Sequence, residues 1–401
     1  MKVAQISDWH TNLRSRQTEA WRVLHWVARD VRERQVDLVV APGDIAEGPW
    51  TAAEEDRAAE YLLELADVAP VVGVAGNHDL ANKLPPRRRL AVDQLQSARH
   101  PIIFVDTPQI VHVAGAAIAC LPWPKGGQLL SVASEATRDE RHHTGIAGLR
   151  AILLGFREEL ERFDGPRILV AHAHVRGARL GSHVPERVDF ATGVEDLAGT
   201  GADYVALGHL HEHQAWTWNV DGRAVPVVYA GSPFANTFGE TEKKGYIVAE
   251  FAPGRRAGNE STLREWQFVP TNATPLAHID FDFQGVEHGL AGELVPYTES
   301  PVAGADVRLR YTVTDDKREA ADRAAEQKRA ELLAQGAASV VLERIVTPTV
   351  RARLPEIART ESPADQVALA LTNQGEPAAR VARLREMVAS LDHELRERTA
   401  S

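Results

Sequence analysis

Met1-Lys-Val-Ala-Gln-Ile-Ser-Asp-Trp-His10 opens the chain, and the fold expectation starts from it. Val3, Ala4 and Ile6 read as the edge of a short buried strand, and Asp8 and His10 follow at once. Alternate residues of extended chain share a face, so Asp8 and His10 are expected to project together. A carboxylate and an imidazole leaving one strand end are both metal ligands. The stretch therefore predicts the start of a two-metal hydrolytic site.

The same form recurs along the chain. Val36-Asp-Leu-Val-Val-Ala41, Val71-Val-Gly-Val-Ala75, Ile168-Leu-Val-Ala171 and Tyr204-Val-Ala-Leu207 are short apolar runs of strand type. Helical spacing lies between them, in Trp21, Leu24, Val27, Ala28 and Val31, and again in Ala58, Tyr61, Leu62 and Leu65. Strands alternating with helices predict an α/β domain over residues 1–275. In such folds chemistry collects in loops at the carboxyl ends of strands. Asp44, then Asn77, His78 and Asp79, then His172, then His209 and His211 each stand just past one of these runs.

The bulk numbers permit this reading. The chain has 401 residues, enough for two or three domains at about 150 residues each. Apolar residues make up 44% and charged residues 25%, as in an ordinary globular protein, and no apolar run is long enough to span a bilayer. The opening stretch lacks the basic and apolar segments of a secretory signal. The lone Cys120 cannot form an intrachain disulfide and reads as a buried strand residue, which fits a reducing cytoplasm. A net charge of −11 argues against a general nucleic-acid coat but not against a nuclease, because bound cations reverse the sign of an acidic pocket. Basic residues gather at Lys83 with Arg87, Arg88 and Arg89, at Lys243 with Lys244, and at Arg255 with Arg256. These clusters are expected as solvated surface loops, and the first is the candidate for phosphate contact.

The polar pieces are Asp8-x-His10, Gly43-Asp44, Gly76-Asn77-His78-Asp79, Ala171-His172 and Gly208-His209-x-His211. Two divalent cations about 3.5–4 Å apart can clamp a phosphate and acidify water. Holding both calls for a carboxylate with two oxygens, while imidazoles and an amide oxygen fill other positions without cancelling the cations' charge. Glycines before Asp44, Asn77 and His209 allow sharp turns after the strands. Any one of the 16 histidines is more often a surface or satisfied core residue than a ligand. Five such pieces in this order, each past a strand, carry what no single one does. His174 competes with His172 as a candidate ligand at this strand end. His142 and His143 stand in a polar segment expected to be a solvated loop.

This ordered set resembles the calcineurin-like metallophosphoesterase superfamily over about residues 1–250. More narrowly it is similar to the SbcD-type DNA repair exonucleases, the nuclease subunits that work with a coiled-coil ATPase. That likeness is carried by Ser7-Asp-Trp-His10, Ile118-Ala-Cys-Leu-Pro-Trp123, Ala202-Asp-Tyr-Val-Ala-Leu-Gly-His-Leu-His211, Tyr229-Ala-Gly-Ser-Pro233, Phe238-Gly-Glu240 and Lys244-Gly245. The resemblance implies a two-sheet sandwich flanked by helices, with two divalent metal ions, Mn²⁺ first among them. Asp8, His10 and His211 would bind one ion, Asn77, His172 and His209 the other, with Asp44 bridging. His78 would act on the substrate phosphate and the departing oxygen. Asp79 would either orient His78 or cap the turn. After Gly-Asp the family continues with an aromatic residue and then Asp or His. This chain reads Asp44-Ile-Ala-Glu47, so Glu47 either replaces a substrate-positioning residue or is a plain loop carboxylate.

Beyond residue 275 the text changes. Strands at residues 276–283 and 340–346 and the alternating Val307, Leu309, Tyr311 and Val313 surround a helix over residues 317–335, with Gly336 as its stop. This small α+β unit, residues 276–348, resembles the family's capping domain, which holds DNA over the site. Residues 349–401 read as helices, one begun by Ser362-Pro363 and one after Pro377. Val381, Leu384, Val388, Leu391 and Leu395 make a narrow stripe that either folds back or docks in a partner's groove. The resemblance favours docking on an SbcC-type coiled-coil ATPase, and it implies a homodimer that works on DNA without a membrane. Two rivals carry different chemistry: a phosphoesterase acting on cyclic nucleotides or phosphoproteins, and an inert scaffold of the same fold.

Overall fold

Only Lys2–Gln5 of the opening stretch is strand, β1, in the computed structural model. The structure describes residues 1–11, 16–81, 98–124, 138–180, 191–240, 242–252, 261–284, 293–296, 302–347 and 362–399. The basic clusters at residues 83–89 and 255–256 lie outside them. Two compact units result: Met1–Ile279 with Thr298–Leu309 and Arg329–Val341, and Asp280–Tyr297 with Arg310–Lys328 and Leu342–Ser401.

The chain continues through α1 (Gln17–Glu33), β2 (Leu38–Ala41), α2 (Ala52–Ala66), β3 (Val71–Val74), β4 (Ile102–Val105), β5 (Gln109–Val113) and β6 (Ala116–Leu121). Next come α3 (Arg138–Leu160), β7 (Arg167–His172), β8 (His174–Val175), β9 (Ala191–Thr192), α4 (Val194–Ala198) and β10 (Tyr204–Gly208). The hairpin β11 (Gln214–Val220) and β12 (Arg223–Tyr229) is followed by β13 (Gly245–Phe251) and β14 (Leu263–Pro270). Two six-stranded sheets result, in the orders β14-β13-β1-β2-β3-β4 and β11-β12-β10-β7-β6-β5.

Alternation decides which way each strand residue faces. Val3, Leu38, Val40, Val72 and Val74 meet Ile118, Ile168, Val170, Ala206 and Val228 in a core between the sheets. Ala4, Val39 and Ala41 turn outward to the apolar faces of α1 and α2. On the other side Leu169, Ala171, Val205 and Leu207 meet Leu149, Leu153, Leu160 and Leu197. The expected two-sheet sandwich flanked by helices is therefore present. Gln5, buried between the sheets, locks them together. Its amide donates to the carbonyls of Leu207 and Val228, each at 3.0 Å, and accepts from Tyr204 Oη at 2.6 Å.

His142 and His143 do not stand in the expected loop, since Arg138–Leu160 is helical. Polarity in that segment forecast exposure, but Arg and Glu are good helix formers and polarity alone does not break a helix.

Past the sandwich, β15 (Leu276–Gln284), β16 (Glu293–Pro296), β17 (Asp306–Thr314) and β18 (Ser339–Thr347) form a four-stranded sheet in the order β16-β15-β17-β18. Val307, Leu309, Tyr311 and Val313 are buried along β17, as their alternation predicts. α5 (Arg318–Ala334) precedes β18, and Gly336 takes φ +96° at its end. In the second unit α6 (Pro363–Asn373) packs on α7 (Ala378–Thr399). The Ser362 hydroxyl caps α6 by accepting from the Asp365 amide at 3.1 Å. Val381, Leu384 and Val388 are half-buried, whereas Leu391 is 56% exposed. No helix among the described residues is long and apolar enough to cross a membrane.

Candidate metal centre

Asp8 and His10 come together for a different reason from the one their spacing suggested. They are not in extended chain: Asp8 has φ +55° and His10 φ +43°. β1 has ended, and the segment runs beside the loop after β2. Asp8 N donates to Gly43 O at 3.1 Å, His10 N to Asp44 O at 3.1 Å and Thr11 N to Ile45 O at 3.0 Å. Asp44 (φ +51°) and His209 (φ +111°) share this uncommon backbone region. Non-glycine residues held there cost energy and cluster at functional sites.

The parallel strands β1, β2, β3, β7 and β10 deliver their exits to one place. The first cluster is Asp8, His10 and His211, whose ligand atoms lie within 4.8 Å of one another. His10 Nε2 and His211 Nε2 are 3.0 Å apart. Asp8 Oδ1 accepts from the His209 amide at 2.9 Å, while its buried Oδ2 has no hydrogen-bond partner among the described residues. Burial pushes the Asp8 carboxyl upward, against the nearby His172 and His211.

The second cluster is Asp44, His172 and His209, also within 4.8 Å, with Asn77 beside it. Asn77 Oδ1 lies 3.0 Å from His172 Nε2 and 3.1 Å from His209 Nδ1. His172 donates from Nδ1 to the Pro42 carbonyl at 2.6 Å, which directs Nε2 inward. Burial opposes a charge on His172, yet Asp44 Oδ2 at 3.2 Å outweighs it and raises the ring to about 9. Asp44 is held below the ordinary carboxylate range, because His172, His10 and His78 overcome the cost of its burial. Burial and the neighbouring His172 drive His209 down to about 2, so its ring is neutral. Its Nε2 is buried and unpartnered among the described residues.

Gly76 is required by this closeness. A Cβ there would stand 2.1 Å from Asp44 Oδ1.

His78 stands at the rim, with its side chain 39% exposed. Its amide donates to Asp44 Oδ1 at 2.9 Å. Asp79 makes the contacts of a turn cap. Its carboxylate accepts from the amides of Gly76 at 2.9 Å, Ala46 at 3.0 Å and Ile45 at 3.3 Å. Burial and the Asp44 charge raise it to about 6. His174 is outside the second ligand group, its ring centroid 5.6 Å from that of His209. The Trp123 ring is 4.8 Å from the His209 ring and 5.8 Å from that of His172.

Two carboxylates enter that the spacing of motifs did not assign. Glu47 Oε2 lies 2.5 Å from His10 Nδ1 and 3.6 Å from His78 Nδ1. Glu240 Oε1 lies 3.3 Å from His211 Nδ1. The Lys243–Lys244 pair is also corrected: Lys244 is buried, not solvated, and its ammonium meets Glu240 and Glu242 at 2.5 Å each. Spacing gave no signal of this, since residues four apart meet side by side on a helix and none is found here among the described residues.

The donor set suits divalent cations. It mixes carboxylate, amide and imidazole, the ligand types that hold ions such as Mn²⁺, Fe²⁺ and Zn²⁺. Two of its buried atoms, Asp8 Oδ2 and His209 Nε2, have no other partner among the described residues. Buried polar atoms left so are costly unless something binds them.

Residues 1–213 match the calcineurin-like phosphoesterase family model, so the chain belongs to that family of metal-using phosphoesterases. Within it, the chain is similar to SbcD of the SbcCD nuclease from Bacillus subtilis, with 30% identity over 66% of this chain and 69% of that one. It is also similar to the DNA double-strand break repair protein Mre11 of Methanopyrus kandleri, at 26% identity over 66% of this chain and 57% of the relative. A dimetal phosphatase from Danio rerio aligns in three dimensions with a TM-score of 0.40, at 16% identity over 67% of this chain and 98% of that one.

Proposed function

We propose that the chain is a metal-dependent DNA exonuclease and endonuclease. The observation that carries this reading is the meeting of two ligand clusters at five strand ends, with buried atoms unpartnered among the described residues there. The similarity to the SbcCD nuclease and to Mre11 supports DNA as the substrate. Asp8, His10 and His211 would hold one cation, and Asn77, His172 and His209 the other, with Asp44 as the shared carboxylate. Two Mn²⁺ ions bound there would neutralise the phosphate and acidify a water molecule.

The residues then divide the work. Water attacks the phosphorus in line, and the opposite oxygen departs. His78, exposed at the rim and fixed through its amide by Asp44, donates to the phosphate and the leaving oxygen. Asp79 holds the loops that carry Asp44 and Asn77. Residues 276–348 act as the capping domain that keeps DNA over the site. The helices of residues 349–401 dock an SbcC-type coiled-coil ATPase, the protein works as a homodimer in the cytoplasm, and the whole serves double-strand-break repair. The half-buried stripe of α7 with its exposed Leu391 supports the docking assignment.

The test is cleavage of linear duplex DNA by purified protein with Mn²⁺ and with chelator. Mn²⁺-stimulated cleavage is expected, with His78→Ala lowering kcat by about 10²–10⁴-fold while both ions still bind. Undiminished cleavage by His78→Ala would remove that role. Turnover of cyclic nucleotides with no DNA cleavage would overturn the nuclease assignment.

A further inference from the structure

The segment after β12 is built around His211 in more detail than a strand exit needs. Ser232 N donates to the His211 carbonyl at 3.2 Å, and Lys244 Nζ donates to the same oxygen at 3.2 Å. Lys244 also donates to Ser232 Oγ at 3.0 Å and to Glu240 Oε2 at 2.5 Å. The other oxygen of Glu240 faces His211 Nδ1 at 3.3 Å. The contacts close a ring, from the backbone of His211 through Lys244 and Glu240 back to its imidazole. Glu240 and Lys244 have side-chain exposures of only 2% and 5%. Gly231 makes room for this: at φ +78°, a Cβ there would stand 2.6 Å from the His211 carbonyl oxygen.

We propose that Glu240, clamped by Lys244, is the positioning residue that fixes the His211 ring and thereby sets the affinity of the Asp8/His10/His211 cluster for its cation. The inference rests on the metal-centre reading above. A carboxylate accepting from Nδ1–H selects the tautomer whose Nε2 carries the lone pair, and it makes that nitrogen a stronger donor. Nε2 of His211 is the atom that faces His10 Nε2 at 3.0 Å. A buried carboxylate needs a counter-charge to stay ionised, and Lys244 supplies it. Lys244 also ties that charge to the backbone of the residue it serves, so ring and carboxylate cannot drift apart. The Gly-Ser-Pro, Gly-Glu and Lys-Gly pieces thus form one device for one imidazole.

The experiment is calorimetric titration of Mn²⁺ into the full metal-free chain, for wild type, Glu240→Gln, Glu240→Ala and the doubly neutral Glu240→Gln/Lys244→Met. Circular dichroism in chelator checks that each is folded. Wild type is expected to bind two ions. Glu240→Ala should weaken one of them by roughly 10–100-fold and spare the other, with Glu240→Gln and the double variant showing smaller losses at the same site. Nitrogen-15 shifts of His211 in the metal-free protein should show Nδ1 protonated in wild type and a mixed tautomer in Glu240→Ala. If Glu240→Ala does not fold, Glu240→Gln and the double variant decide by the same two readouts. Two ions at wild-type affinity in every folded variant, with an unchanged His211 tautomer, overturn the inference alone. Failure of wild type to bind two ions overturns the metal-centre reading and the inference with it.

Discussion

The two ligand clusters are built from similar side chains but are supported differently. In the Asp8/His10/His211 cluster, the outer nitrogen of each imidazole faces a carboxylate, Glu47 for His10 and Glu240 for His211. In the Asp44/His172/His209 cluster the backbone does this work: the outer nitrogen of His172 donates to the Pro42 carbonyl, and Asp79 pins the loops through three amides. Anionic partners raise the donor strength of an imidazole, whereas a carbonyl mainly fixes its direction. The first cluster can therefore be tuned by single substitutions, and the second is tied to the integrity of the sandwich.

If Asp44 is shared by both ions as proposed, its loss should erase the difference between the clusters, although its close contacts are with the second one. Its Oδ2 is 3.2 Å from His172 Nε2 and its Oδ1 receives the His78 amide. Asp44→Ala is expected to abolish cleavage and to weaken both ions by more than the roughly 10–100-fold typical of an outer partner. Titration of Mn²⁺ would read this. Loss of only one ion would show that Asp44 belongs to a single cluster.

The two clusters should also differ in their response to pH. Metal-free His172 is raised to about 9, so at neutral pH its ring carries a proton that a cation must displace. Ion binding at the second cluster is expected to release about one proton, and affinity to rise by about tenfold per pH unit until it levels off near pH 9. His209, lowered to about 2, contributes no such proton at neutral pH. Calorimetry in buffers of different ionisation enthalpy measures the release. A pH-independent affinity at that site would refute the proton on His172.

Asp79 separates the clusters in stability. Asp79→Ala leaves the buried amides of Gly76, Ala46 and Ile45 without an acceptor, at about 1–3 kcal/mol each where water cannot reach them. For a unit of this size a fall in Tm on the order of 5–15 °C follows. It should appear in chelator, and the pH profile of the remaining cleavage should be that of wild type. A changed profile with unchanged Tm would restore the alternative in which Asp79 orients His78.

Much of this was legible in the chain. Ligand-type residues announce themselves because a buried parallel strand is a run of Val, Ile, Leu and Ala, so a His or Asp at its end stands out, as at His172 after Ile168-Leu-Val-Ala171. The α/β class followed from the same runs, whereas the two-sheet sandwich was implied by the family resemblance. The conformation of Asp8 and His10 was not legible, since their positive φ values are imposed by pairing with residues 43–45, far along the chain. Lys244 was misread because a Lys-Lys pair looks solvated until the two glutamates that bury one of them are placed around it. The helix at residues 138–160 was hidden at its start by polar residues that say nothing against a helix.

Glu47 should give the smallest effect and the finest distinction between the two kinds of support. It matches Glu240 in role, 2.5 Å from an imidazole, but its side chain is 37% exposed where that of Glu240 is 2%. Water can therefore replace part of what it provides, and the ion pair is screened. Glu47→Gln is expected to weaken the first-cluster ion by less than the roughly tenfold lower bound of a buried outer partner. Because Glu47 Oε2 is also 3.6 Å from His78 Nδ1, kcat should fall slightly more than the metal affinity alone explains. Titration and kinetics on one preparation separate the two. A loss as large as that of Glu240→Ala would mean that charge on the outer nitrogen, and not the clamp that holds it, governs the first cluster.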